Sequence, residues 1–219
     1  MHAVGGRPMT CHAAVAALRA GATAIATVIG PNAETVARAV HGVAPEAETF
    51  QQVDRLGTAH AVLQARAALE RGADDMIVMF GDTPLVRPET LSRVRLRLAD
   101  KADVVVLGFE TDEPTGYGRL LVRDGQLTAI REERDATDEE RRVTFCNAGI
   151  MAFRGERVLP LLDAIGNANA KGEYYLTDAV EIARARGLNV VAEFGEESEF
   201  LGVNTRAQLA QCEAVFQDR

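Results

Sequence analysis

Short, largely apolar runs alternate along this chain with longer stretches bounded by helix start and stop signals. Ala22–Ile29 (ATAIATVI), Met76–Phe80 (MIVMF), Asp103–Glu110 (DVVVLGFE), Phe145–Phe153 (FCNAGIMAF) and Asn189–Phe194 read as strands, with a shorter one over Glu48–Val53. An apolar run such as Met76–Phe80, cut off by Gly81-Asp82, suits a strand buried on both faces, the habit of parallel sheets. Pro8 and Gly21 bracket a first helix, Asn32 can cap a second to His41, and Thr58 caps a third that Gly72 terminates. Pro88 opens a helix to about Ala99; others fall near Gly155–Ala164, Leu176–Arg186 and Thr205–Gln217. The alternation predicts βαβαβ units with right-handed crossovers. At Pro114 the rhythm changes: Tyr117–Val122, a turn at Arg123-Asp124-Gly125 and Gln126–Glu132 predict a β-hairpin, followed by a charged loop or short helix to Arg142. The expected fold is a doubly wound, Rossmann-like α/β domain spanning residues 1–219, with a mostly parallel sheet and a hairpin insertion.

Composition narrows the partners. At 219 residues, 47% apolar and 26% charged, the chain suits one soluble domain with a substantial core. A formal charge of −8 argues against a nucleic-acid surface, which needs cations to displace counterions. Cys11, Cys146 and Cys212 are odd in number and widely spaced, which suggests neither a disulfide framework nor a zinc site and fits a reducing cytoplasm. Met1–Met9 is too short and glycine-rich for a signal segment, and no run approaches membrane-spanning length.

The candidate chemistry sits in polar, glycine-marked turns at strand ends. Open α/β sheets bind ligands beyond the carboxyl ends of their strands, which places Asp82 where a metal or phosphate would be handled, although Gly-Asp is also ordinary turn chemistry. Asn147 is a second clue: an amide inside an apolar strand needs its hydrogen bonds met, by a ligand or by a buried partner.

The ordered motifs LGTAHA, GDTPL, PTGYGR, ERDATDEER, CNAGI, GEYYLTD and GVNTR span nearly the whole chain. In these the sequence resembles the uridylyltransferase domain of bacterial N-acetylglucosamine-1-phosphate uridylyltransferases, the first half of bifunctional enzymes whose second half is a β-helical acetyltransferase. The resemblance implies transfer of a uridylyl group from UTP to N-acetylglucosamine 1-phosphate with release of pyrophosphate, using Mg²⁺, in supply of peptidoglycan and lipopolysaccharide precursors. It implies Asp82 and Asn204 as metal ligands; Gln52, Gly57 and Thr58 at the uracil; Gly118, Glu132 and Asn147 at the sugar; and Glu173, Tyr175 and Thr177 in a segment closing over the sugar phosphate. Each has a plainer alternative. Thr58 and Asn204 could be helix caps, Thr205 could take the second of these roles, Glu132 could be a solvated hairpin end, and the Tyr174-Tyr175 pair could be core packing. His60 is assigned no role, and Arg119 could offer charge near the site or simply cover the hairpin.

The sequence also departs from the family pattern. Family members begin with a strand, a glycine-rich L-A-A-G-x-G-T-R-M turn that cradles the triphosphate and a lysine, all before the segment matching His2–Met9. Two expectations follow: Met1 is an internal methionine of a longer protein, or the chain is a shortened paralogue that binds nucleotide sugar with impaired turnover. A related nucleotidyltransferase using another sugar phosphate or base is the nearer alternative. No acetyltransferase chemistry is expected of these residues, and a homo-oligomer is left open.

Overall fold

A computed structural model of the chain describes residues 2–219, so the Met1 position lies outside the described residues. A small hairpin, β1 (Ala3–Val4) and β2 (Arg7–Pro8), precedes α1 (Met9–Arg19). There follow β3 (Ala26–Ile29), α2 (Glu34–His41), β4 (Glu48–Gln51), α3 (Thr58–Gln64), α4 (Arg66–Leu69), β5 (Asp75–Val78) and α5 (Pro88–Ala99). The second half runs β6 (Val104–Glu110), β7 (Arg119–Arg123), β8 (Gln126–Arg131), β9 (Phe145–Arg154), α6 (Gly155–Leu162), α7 (Ala179–Ala185), β10 (Val190–Phe194) and α8 (Arg206–Gln217).

The α/β class is as expected, with helices on both faces of the sheet. β6 shows why: it is buried along its length to Phe109, and its side chains alternate between two cores. Val104 and Val106 join Met151, Phe153, Leu161 and Val180 on one face. Val105, Leu107 and Phe109 join Leu91, Val94, Leu98 and Ile150 on the other.

The strand pairing is more mixed than the expected mostly parallel sheet. Six strands form the main sheet, in the order β10-β6-β9-β7-β8 with β5 pairing β9, and only β10–β6 is parallel. β5, expected to be a fully buried parallel strand, runs antiparallel to β9 and is only half-buried, because within the described residues it has a ladder on one edge alone. β3 and β4 pair in parallel as a separate two-stranded sheet.

Two caps differ from expectation. Asn32 takes a left-handed conformation (φ 59°) ahead of α2, whose N-cap is Ala33. Thr58 is the first residue of α3 rather than its cap, and Gly57 stands at the cap with φ 113°. The hairpin forms as expected: Arg123 and Gln126 face each other across Asp124-Gly125, whose φ values of 52° and 72° suit a tight type I′ turn. Among the described residues, no helix is long and apolar enough to cross a membrane.

Candidate functional site

The glycine-marked turns converge at one end of the main sheet. There a cleft of about 450 Å³ is lined by Thr58, Asp82, Thr83, Gly116, Tyr117, Gly118, Glu132, Asn147, Thr177, Phe200, Gly202 and Asn204, among others. A recess of about 540 Å³ lies elsewhere, where Asp75 at the start of β5, Arg95 of α5 and Arg154 at the end of β9 meet. The cleft, where the loops leaving strand ends gather, is the site to expect in a sheet of this kind.

Asp82 lies just past β5, and Asn204 just before α8. They are far apart in sequence but joined in space, because the Val203 N–H donates to the Asp82 carbonyl at 3.0 Å. Thr205 caps α8, its Oγ1 accepting from the Gln208 N–H at 3.2 Å while Gln208 Oε1 accepts from the Thr205 N–H at 3.0 Å. That capping box takes the role Asn204 could have filled. The Asn204 N–H donates to Gln208 Oε1 at 2.8 Å, and Asn204 lines the cleft together with Asp82.

The hairpin and β9 build the other wall. The Asn147 N–H donates to the Gly118 carbonyl at 2.8 Å, and Asn147 Oδ1 accepts from the Gly149 N–H at 3.0 Å. The buried partner demanded of this amide is therefore its own strand for the carbonyl end, and Asn147 also lines the cleft. Gly149 needs to be glycine, with φ 77° and Phe80 where a Cβ would stand. Glu132 accepts from Thr177 Oγ1 at 3.0 Å. Burial pushes the Glu132 carboxyl above its usual range, opposed by the Thr177 hydrogen bond and then Lys171, while Asp135 and Glu173 add to the rise.

Other expected residues stand behind this lining. Gln52 Nε2 donates to the Gly57 carbonyl at 3.1 Å and lies 3.0 Å from His60 Nδ1, so His60 helps hold the Gln52 amide. The Tyr174 N–H donates to Leu56 O at 2.7 Å, the Ala59 N–H to Tyr174 O at 2.9 Å, and the Leu176 N–H to Thr58 Oγ1 at 2.9 Å. These bonds clamp the LGT turn to the GEYYLTD segment. Glu173 is held by Asn169, its N–H donating to Asn169 Oδ1 at 3.2 Å. Tyr175 is buried, its hydroxyl without a hydrogen-bond partner among the described residues. Burial first, then the charges of Asp135, Glu132 and Glu173, push its phenol up to about 12. Gln52, Gly57, Glu173 and Tyr175 are not among the residues that line the cleft.

Arg119, for which the sequence left open charge near the site or a hairpin cover, is 1% exposed. Its guanidinium donates to Glu133 Oε2 at 2.7 Å, to the Arg141 carbonyl at 3.3 Å and to the Tyr117 carbonyl. Glu133 also accepts from the Gly116 N–H at 3.2 Å, and the Arg119 contact holds its carboxyl below the usual range. Arg119 thus staples the PTGYG turn to the acidic loop that carries Glu132. The available signal was an arginine directly after the glycines with the acid-rich ERDATDEER segment close behind.

Oxygen donors at Asp82 and Asn204 fit a hard divalent cation that takes few protein ligands and completes its shell with phosphate oxygens and water. Among the described residues, no cluster of three or more His, Cys, Asp or Glu could hold a metal by itself.

Residues 1–145 match the MobA-like NTP transferase domain family. The chain is 59% identical over 219 residues to the bifunctional protein GlmU of Azorhizobium caulinodans, covering all of this chain and 49% of that protein. It is 57% identical to the protein of the same name from Xanthobacter autotrophicus, again covering 100% of this chain and 49% of that one. The chain thus spans about half the length of the curated relatives it matches. Among solved structures, apo UDP-glucose pyrophosphorylase superposes with a TM-score of 0.78 at 16% identity, covering 100% of this chain and 90% of that one. A putative glucose-1-phosphate thymidylyltransferase from Bacillus anthracis superposes with a TM-score of 0.75 at 20% identity, covering 100% and 86%. At such identities the two structures share the fold.

Proposed function

Since this chain belongs to the MobA-like NTP transferase domain family, we propose that it transfers a uridylyl group from UTP to N-acetylglucosamine 1-phosphate, forming UDP-N-acetylglucosamine and pyrophosphate. The observation that carries this reading is the meeting of Asp82 and Asn204 on one cleft with Gly118, Glu132, Asn147 and Thr177, their loops joined by the Val203 to Asp82 hydrogen bond. The relatives named GlmU, at 57% and 59% identity, support the choice of base and sugar.

In the reaction a phosphate oxygen of the sugar phosphate attacks the α-phosphorus of UTP, and the bond to pyrophosphate breaks. The protein's task is to align two anions and hold them close. Thr58 and the turn around it would seat the uracil, with Gln52 and Gly57 setting the shape of that turn. The Asn147 NH₂ and the Glu132 carboxylate would take the N-acetyl and hydroxyl groups, with Thr177 orienting Glu132. Asp82 and Asn204 would hold Mg²⁺, which when bound supplies positive charge to the reacting phosphates. We also read the protein as cytoplasmic and its product as a precursor of cell-envelope polymers.

The test is pyrophosphate release by this chain from UTP and N-acetylglucosamine 1-phosphate with Mg²⁺, set beside other sugar phosphates and nucleotides. Asp82→Ala is expected to lower the rate by roughly a hundredfold or more, while thermal unfolding stays cooperative. Absence of release with every sugar phosphate overturns the reading. One observation favours a second reading: among the described residues the cleft is lined by the carboxylates of Asp82 and Glu132 and by no lysine or arginine. A site short of cationic charge suits a module that binds UDP-N-acetylglucosamine without turnover. Calorimetric binding with no pyrophosphate release would select it.

A further inference from the structure

Besides Arg119, the described core holds a second charged side chain with almost no access to water, and it lies apart from the cleft lining. Glu199 is 2% exposed. It sits in a single 3₁₀ turn, Glu197–Glu199, immediately before the Phe200–Asn204 segment. Its Oε2 accepts from the Arg87 N–H at 3.1 Å and from Thr90 Oγ1 at 2.7 Å. Arg87 is the N-cap of α5, Pro88 is its first residue, and the loop from β5 that runs into Arg87 carries Asp82. The Arg93 guanidinium donates to Thr90 Oγ1 at 3.3 Å, so the threonine hydroxyl is oriented to spend its proton on Glu199.

We propose that Glu199 is a positioning residue that locks the loop carrying Asp82 to the loop carrying Asn204. Three contacts tie the two loops, the most exposed being the Arg87 guanidinium to Glu196 Oε2 at 3.2 Å, which solvent screens. At the cleft the tie is one neutral backbone bond, Val203 to Asp82, at 3.0 Å. At the far, buried end it is the Glu199 carboxylate, whose Oε2 accepts two hydrogen bonds. Charge-assisted bonds are about twice as strong as neutral ones, and a carboxylate at a helix N-terminus gains further from the backbone dipoles. Burying a carboxylate this deeply is unfavourable unless its partners are fixed, so the pairing enforces one spacing between the loops. Between the ties, Leu85, Val86, Phe200 and Val203 are buried, so a shift at one end is passed to the other through packed side chains rather than lost in solvent. Glu199 itself touches no substrate; its effect reaches the reaction through the separation of Asp82 and Asn204.

This inference rests on the uridylyl-transfer reading for its consequence but not for its geometry, and the test separates the two. Amide hydrogen exchange is measured on the full chain without ligand, for wild type, Glu199→Ala, Glu199→Gln and Thr90→Val. In Glu199→Ala the Arg87 and Val203 amides are expected to exchange about tenfold faster or more, the effect of removing hydrogen bonds to a charged acceptor. Exchange in Val104–Phe109 should be unchanged. Glu199→Gln keeps an acceptor oxygen and should restore most of the protection. Thr90→Val, which removes one of the two bonds at nearly constant shape, should act in the same direction and serves if Glu199→Ala does not fold. In the pyrophosphate assay, the Mg²⁺ concentration for half-maximal rate should rise about tenfold in Glu199→Ala, with the KM for sugar phosphate within about twofold. Unchanged Val203 exchange in both Glu199→Ala and Thr90→Val overturns the proposal. A wild-type chain that releases no pyrophosphate overturns the functional reading instead, and the exchange data still decide on Glu199.

Discussion

Asp178 closes the 3₁₀ turn that carries Thr177, the donor to Glu132, and it reports how many acidic groups crowd that side of the protein. Burial first, then the charge of Glu181, with Arg131 opposing and Glu132 and Asp135 adding, push its carboxyl up to about 6. The folded state therefore holds this proton more tightly than the unfolded chain, whose aspartates titrate near pH 3.9. The contribution to stability is complete below about pH 4 and is lost as pH rises through about 6. Asp178→Asn removes the loss: it should raise the melting temperature by roughly 2 °C at pH 8, a modest gain because the group keeps some contact with solvent and is screened, and leave it unchanged at pH 4. Thermal melts at pH 4, 6 and 8 check this; an equal difference at all three would assign the effect to packing. At this scale some residues were legible in the sequence because they break a pattern. Asp82 ends an apolar run, and Asn147 interrupts one. Arg119 and Glu199 were not legible, since an arginine and a glutamate in charged surroundings look like surface until tertiary contacts bury them.

The clamp between the LGT turn and the GEYYLTD segment belongs to the scale of elements. Its geometry asks for glycine at position 57, where φ is 113° and a Cβ would meet the Tyr174 backbone. It also asks for a hydroxyl at position 58, because the Leu176 N–H has Thr58 Oγ1 as its acceptor. Thr58→Ala should lower stability by about 1–2 kcal/mol, the range for leaving a buried amide unpaired, and should weaken UDP binding with it. Thr58→Ser should recover most of both. Denaturant melts paired with calorimetry decide the matter: equal stability of the alanine and serine variants would reduce Thr58 to packing. Sequence placed α5 well, since proline marks its first turn and its apolar residues recur on one face. It misplaced the pairing of β5, whose apolar run records burial but not direction. Direction depends on β9, which is about seventy residues later in the chain.

Across the whole molecule, the two sheets differ in what holds them. β6 and β9 lie inside the six-stranded sheet with apolar layers on both faces. β3 and β4 pair only with each other, and the core near them is the small cluster of Ala14, Val40, Ala44 and Ala47 with Ile25 and Val43. A two-stranded sheet is marginal by itself, and four buried residues of which three are alanine bring little apolar area. Local opening should therefore cost less there than in the main sheet. Exchange in ligand-free protein is expected to be at least tenfold faster for the β3–β4 amides than for Val104–Val106 and Met151–Phe153. The consequence reaches the site, because Gln52 follows β4 directly and its N–H donates to Ile29 O at the end of β3. On the proposed assignment, the base end of the site would rest on the unit expected to open more readily, and the sugar end on the main sheet. Uridine nucleotides should then slow exchange in β3–β4 more than in β6, whereas N-acetylglucosamine 1-phosphate alone should leave β3–β4 unaffected. Equal protection of the two sheets without ligand would show that this division of the molecule does not exist.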